Sequence, residues 1–325
     1  MRGKSILGFL IFFFLFNISL FSAENKQIAI VIFVKGDVKS GNNRLKLGTK
    51  LNSGDIIKTG NKSVCDIQVT SSKSPIVVRI KEKSTFQLTE NKEGGVTQYN
   101  SVVDSGKAVF NVSKLGRKEK MKVTTPTSTC GVRGTKFETS VRSNGKERTL
   151  VTEGKVAARG RIARLEELEN GNEKEFSGIM KSVEASNQEI GAGNYADFSK
   201  KTSEEFLEKS GLKEVLENPD DENFKENLQK TLKDPKFKKE LNSSLKKTTP
   251  VVKKLDEKAL EKKTISYEEL IPVDPHKLRR KGLVNDFLKE RNKERNMISL
   301  IRKLQEENAS LKQELEESKK DKQGK

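Results

Sequence analysis

Tryptophan is missing from the 325-residue chain, which holds one histidine, two cysteines, three tyrosines and seven prolines. Each scarcity narrows the chemistry. The lone His276 stands between Pro275 and the basic run Lys277-Leu278-Arg279-Arg280, so one chain cannot assemble a histidine-based triad or a multi-histidine metal centre. Without tryptophan and with few tyrosines, a carbohydrate platform of stacked aromatic rings has little to be built from. Gly191-Ala192-Gly193 is too short for a phosphate-cradling glycine loop and lacks the Lys-Ser or Lys-Thr that would follow it. Carboxylate pairs are common in the C-terminal part, but glutamate-rich helices supply them by composition alone. The chain reads as a non-enzyme with no cofactor and no metal.

One long apolar run is present, at the start. Arg2 and Lys4 precede an almost wholly apolar stretch from Ile6 to Phe21, and the chain turns polar at Glu24. This is the pattern of a secretory signal over residues 1–23. It is a little shorter than the roughly 20 residues that span a bilayer comfortably, and Asn17 and Ser19 weaken its outer end. The expected location is therefore the periplasm or outer cell envelope of a bacterium. Cys65 and Cys130 would then meet an oxidising compartment. A bridge between them would close a long loop and contribute roughly 3–5 kcal/mol; two separate buried thiols acting as small hydrophobes are the alternative.

The remaining chain, about 300 residues, suggests two regions on the usual scale of roughly 150 per domain. Residues 27–199 mix Val, Ile, Phe and Thr with glycine punctuation and read as β-rich, whereas residues 200–273 read as short amphipathic helices and linkers. Period-two alternation predicts strands at Ile28–Val34, Ser63–Val69, Ile76–Ile80, Thr85–Thr89, Lys107–Val112, Lys120–Thr124, Lys136–Val141 and Thr149–Val151. In Ser63–Val69, the residues Cys65, Ile67 and Val69 share one face while Asp66 and Gln68 share the other, which predicts one buried face. Turn chemistry separates these blocks at Gly36-Asp37, Ser53-Gly54-Asp55, Gly94-Gly95, Ser105-Gly106, Asn144-Gly145 and Glu153-Gly154. Asn144-Gly145 is the strongest hairpin signal among them.

Between two of these strands lies Val123-Thr-Thr-Pro-Thr-Ser-Thr-Cys-Gly-Val-Arg-Gly-Thr-Lys-Phe137. Pro126 favours an extended Thr125 and interrupts one strand's hydrogen bonding. Gly131 and Gly134 bracket Val132 and Arg133 with flexible backbone before Thr135 and Phe137 resume the alternation. The segment predicts a crossing between strands, in which the donor fork of Arg133 is suited to tie several backbone carbonyls. That structural role is preferred here to a ligand contact.

These stretches carry a family resemblance. Val34–Lys39 (VKGDVK), Leu47–Gly60 (LGTKLNSGDIIKTG), Ile80–Leu88 (IKEKSTFQL), Asp104–Val112 (DSGKAVFNV), Val123–Val141 and Val151–Ala158 (VTEGKVAA) occur in order, and together they resemble the FecR domain. The likeness covers about residues 30–160 and extends towards Val183–Ala196. It implies a β-solenoid-like fold rather than a jelly roll or immunoglobulin sandwich, and a role as a protein-interaction or scaffold module. It also implies kinship with cell-surface regulators that relay a transport signal to a sigma factor. Those regulators use a cytosolic arm, for which the five residues ahead of the apolar run leave no room.

Beyond residue 200 the helical starts are readable. Ser203, Asp220 or Asp221, and Asp234-Pro235 each precede apolar residues at helical spacing. Few apolar positions follow, so these helices could pack as a loose array, dock on the β domain or stay partly unfolded. Residues 274–325 read as one long helix. Met297, Ile301, Leu304, Asn308, Leu311 and Leu315 form a heptad seam, with Asn308 at an a position, the usual device for a parallel two-stranded coiled coil. A homodimer through a seam at about residues 297–318 is the expectation, with an isolated amphipathic helix that binds another protein or the β domain as the alternative. The net charge of +18, from 64 basic and 46 acidic residues, allows contact with an anionic envelope surface. Export removes nucleic acid as a partner, which leaves an envelope protein as the expected one.

Overall fold

A computed structural model describes residues 26–161, 163, 165–166, 173–199, 208–216, 223–268, 270–273, 297 and 300. The signal, the helix starts at Ser203 and at Asp220 or Asp221, and the seam residues Ile301, Leu304, Asn308, Leu311 and Leu315 lie outside the described residues. Met297 is described, in helical backbone and exposed.

The N-terminal region is mainly β, as its alternation predicts. The strands are β1 (Gln27–Lys35), β2 (Val38–Ser40), β3 (Asn43–Arg44), β4 (Lys50–Asn52), β5 (Ile56–Thr59), β6 (Val64–Val69), β7 (Ile76–Ile80), β8 (Thr85–Glu93) and β9 (Val96–Val112). They continue as β10 (Glu119–Thr124), β11 (Ser128–Val132), β12 (Thr135–Val141), β13 (Lys146–Glu153), β14 (Lys155–Gly160), β15 (Gln188–Gly191), β16 (Asn194–Ser199) and β17 (Val252–Lys254). They join into one continuous hydrogen-bonded system made of two ladders. Ladder A runs β4-β1-β6-β7-β9-β12-β13-β16-β17. Ladder B runs β3-β2-β5-β8-β9-β10-β11-β14-β15. All these pairings are antiparallel except β9 with β10.

Strand β9 belongs to both ladders. Val96–Ser105 pairs with β8 in ladder B, and Gly106–Val112 pairs with β12 in ladder A. The residues Ser105-Gly106, expected to reverse the chain, bend it instead. Gly106 has φ +81°, and a Cβ there would come within 2.2 Å of Ser84 Oγ. The left-handed geometry is present without the reversal, because the strand continues into the other ladder.

The core fills the space between the ladders. Phe110 and Phe137, both on ladder A, stack with centroids 4.6 Å apart, and Phe86 from ladder B tilts against Phe110 at 6.4 Å. All three are essentially inaccessible. Full burial of such a ring stabilises the fold by about 1.5–3 kcal/mol, so alternation in β8, β9 and β12 translates directly into a common interior. The hairpin predicted at Asn144-Gly145 joins β12 to β13. Gly145 has φ +73°, its N–H donates to Arg142 O at 3.0 Å, and Asn144 Oδ1 accepts from Lys146 N at 3.1 Å.

The helices are α1 (Glu173–Ala185), α2 (Leu212–Leu216), α3 (Phe224–Lys233), α4 (Pro235–Thr248) and α5 (Glu257–Glu268). Phe176, Met180, Leu212, Leu228, Phe237 and Leu241 are among the members of a second, smaller apolar cluster. Asp234-Pro235 starts α4 as expected, with Asp234 Oδ1 accepting from Lys236 N at 2.7 Å and Pro235 in the first turn. After α4 the chain returns to the β region. Strand β17 adds to β16 at the end of ladder A, and α5 and residues 270–273 follow.

Candidate functional site

The expected crossing places its residues as follows. Pro126 lies in the turn between β10 and β11, where Thr125 N donates to Ser128 O at 2.9 Å. Gly131 and Val132 are in β11, opposite Lys122 and Met121 of β10. Gly131 is therefore ordinary extended strand rather than a flexible bracket. Arg133 and Gly134 make the actual passage from ladder B to ladder A. Thr135 and Phe137 then resume alternation in β12, with Thr135 Oγ1 donating to Lys155 O at 2.7 Å.

Arg133 does not tie the crossing together. Its side chain is exposed, and among the described residues no hydrogen bond or ion pair engages it. The backbone does that work: Leu115 N donates to Arg133 O at 2.9 Å. β11 and β12 are each paired on both sides, so neighbouring strands and not the guanidinium hold the two ends of the connection. Cys65 and Cys130 are free, buried thiols, which leaves the reading of two small hydrophobes. Burial pushes the Cys130 thiol up to about 12, helped by the nearby Glu147 carboxylate, and raises Cys65 above the ordinary thiol range.

A buried carboxylate beside this crossing was not foreseen. Glu147 of β13 is 2% exposed and accepts hydroxyl donations from Thr125, Thr127 and Ser128. Thr125 Oγ1 also accepts from Ser128 N at 2.8 Å, which folds the turn around the carboxylate. Burial raises the Glu147 pKa, while the three hydroxyls act in the opposite sense.

The second feature is the outer face of ladder A. Alternation in β6, β7 and β9 puts Asp66, Gln68, Val77, Arg79, Val109 and Asn111 on that face. The sequence pattern predicts one buried face for β6, and this second face is buried as well, with Asp66 0% and Gln68 5% exposed. A segment from far along the chain, residues 270–273, covers Gln68 and the apolar residues of this face. Leu270, 1% exposed, packs into an apolar cluster with Ile30, Ile32, Val77 and Val109, and Val273 packs against it.

Two side-chain amides hold this segment by its backbone. Gln68 Nε2 donates to Val273 O at 2.7 Å and Gln68 Oε1 accepts from Val273 N at 2.7 Å, while Asn111 Nδ2 donates to Leu270 O at 2.8 Å. Gln68 thus offers the donor and acceptor that a neighbouring strand would offer. Beside the groove, Arg79 Nε and Nη2 donate to Asp66 Oδ1 and Oδ2 at 2.8 and 2.9 Å. Lys263 of α5 and Lys107 of β9 both reach Glu138, at 2.9 and 3.2 Å. Burial, with Arg79 second, lowers the Lys81 pKa. Among the described residues, Arg79, Lys81, Lys107 and Lys263 thus stand with Asp66 and Glu138 in one cluster of charges.

Gln68 and Asn111 were visible in the sequence only as polar residues within apolar strands. Their partners are far along the chain, and no spacing rule reaches them. A separate cleft of about 260 Å³ is lined by Arg161, Asp197, Lys247 and Lys253 among others. Asp197 of its wall pairs with Arg148 at 2.7 Å, and Arg148 lies 4.0 Å over the Tyr195 ring.

Fold and site together define a β-rich module that grips an extended segment by its backbone. Residues 55–157 match the family described as FecR protein, and the chain carries a FecR domain there. No curated protein matches the chain. Among solved structures, two crystal structures of "a putative anti-sigma factor from Parabacteroides distasonis ATCC 8503", at 1.65 and 2.50 Å resolution, are similar. Each is 14% identical with a TM-score of 0.31, and the match covers 45% of this chain and 55% of that one, about half its length. No helix among the described residues is long and apolar enough to cross a membrane.

Proposed function

We propose that this chain is a non-enzymatic protein-binding component of a bacterial cell-envelope signalling relay, with the FecR domain as its interaction module. The observation that carries the reading is the outer face of ladder A, where Gln68 and Asn111 hold a peptide backbone beside an apolar cluster. Main-chain recognition of this kind supplies affinity, and an apolar pocket supplies selectivity. The FecR match supports the signalling side, and the chain's alternation between two ladders supports a solenoid-like course. Export through the N-terminal signal and association through the heptads of residues 297–318 belong to the same reading.

The test is capture of partners from envelope extracts with the full chain, compared with the double variant Gln68→Ala, Asn111→Ala. A protein retained by the parent and lost by the variant is the expected result. Failure of the parent to retain any envelope protein would remove the reading.

A further inference from the structure

The groove on ladder A is built by one part of the chain and filled by another. Asp66, Gln68, Val77, Arg79, Val109 and Asn111 all lie within the FecR match at residues 55–157, whereas the occupant Leu270–Val273 comes from well outside it. The contacts are also few in kind. Among the described residues, one side chain, Leu270, is fully sunk into the apolar cluster, and the hydrogen bonds from Gln68 and Asn111 read backbone atoms of the segment. Such a groove accepts any extended segment with a branched aliphatic anchor and a free peptide group three residues later.

Charge narrows the class. Among the described residues, Arg79, Lys81, Lys107 and Lys263 stand near the groove with Asp66 and Glu138. In sequence the occupant is flanked by Glu268 and Glu269 on one side and Asp274 on the other. An aliphatic anchor between acidic residues complements this face in both respects.

We infer that Leu270–Val273 is a resident strap in a peptide-docking groove, and that a partner's extended, acid-flanked aliphatic peptide displaces it in order to bind. This rests on the interaction reading above and names the partner's chemistry and the state it must overcome. While the strap is seated the groove is closed, so the apparent affinity for a partner is reduced by the fraction of molecules in which it is open.

A fluorescein-labelled peptide of residues 267–275 (YEELIPVDP) is titrated against the full chain and followed by anisotropy. Leu270→Asp removes the strap's anchor, and Val273→Pro removes the N–H that Gln68 Oε1 accepts. Circular dichroism and thermal melting show which variants are folded. Each folded strap variant is expected to bind the peptide at least about tenfold more tightly than the parent chain, and Gln68→Ala in the same background is expected to abolish the gain.

Folded strap variants that bind no better than the parent, or a gain that survives Gln68→Ala, would overturn the inference. Sedimentation of the strap variants asks whether a second copy fills the groove. An oligomeric state unchanged from the parent's supports a partner peptide, and an association beyond the parent's that the peptide cannot dissociate overturns it. Peptide binding without capture of any envelope protein would leave the groove standing and remove the relay reading alone.

Discussion

Asp66 and Arg79 face each other across β6 and β7 in a two-pronged ion pair, at 2.8 and 2.9 Å, on the outer face of ladder A. Both are buried, Asp66 completely. A charge taken out of water depends on its ion-pair partner, and removing one member of such a pair costs about 3–5 kcal/mol. Arg79→Met is therefore expected to lower the urea midpoint strongly. The double variant Asp66→Leu, Arg79→Met removes both charges and is expected to recover most of that loss.

The Gln68 contact with Val273 should be visible locally without a large global effect. Gln68→Ala removes two hydrogen bonds, worth roughly 0.5–1.5 kcal/mol each. Amide exchange in the segment 268–275 should accelerate while exchange in β12 and β13 stays slow. Uniform acceleration across the β region would show that the strap and the sheet open together.

Arg133 gives the opposite expectation. Its side chain is exposed and unengaged among the described residues, so Arg133→Ala should stay within about 0.5 kcal/mol of the parent in denaturant titration. A clear loss would restore the carbonyl-tying role that the sequence suggests.

That case shows where sequence reading stops. Alternation located β6, β7, β10 and β12 because each strand's inner face is decided by its own residues, as with Cys65, Ile67 and Val69. The Asp234-Pro235 start and the Asn144-Gly145 hairpin were legible for the same reason, since capping and turn geometry are local. The burial of Gln68 was not, because the segment that covers it is far along the chain and is held by its backbone. Gly106 was half legible: its left-handed φ is local, but whether the chain reverses or crosses to the other ladder depends on Ser84 and β12.

The two thiols should behave as interior groups. Cys65 and Cys130 are free and buried, and burial raises both pKa values. The native chain should react negligibly with a disulfide reagent near neutral pH, and denaturation without reductant should release two reactive thiols. Release of none would indicate a bridge.

Glu147 gives a signed dependence on pH. Its folded pKa is raised above the ordinary value of 4.5, chiefly by burial. Between those two values the folded chain binds more protons at this site than the unfolded chain, so stability increases as pH falls. The contribution is fully present below the unfolded value and is lost as pH rises through the folded one. Glu90, Glu119 and Glu166 shift the opposite way and lose stability on acidification, so whole-protein melting alone would hide the effect. The comparison with Glu147→Gln isolates it, because the amide keeps the shape and does not titrate. As pH falls from neutrality towards the ordinary value of 4.5, the stability of the parent relative to this variant should rise. A relative stability that falls over that range would mean that the hydroxyls of Thr125, Thr127 and Ser128 outweigh burial.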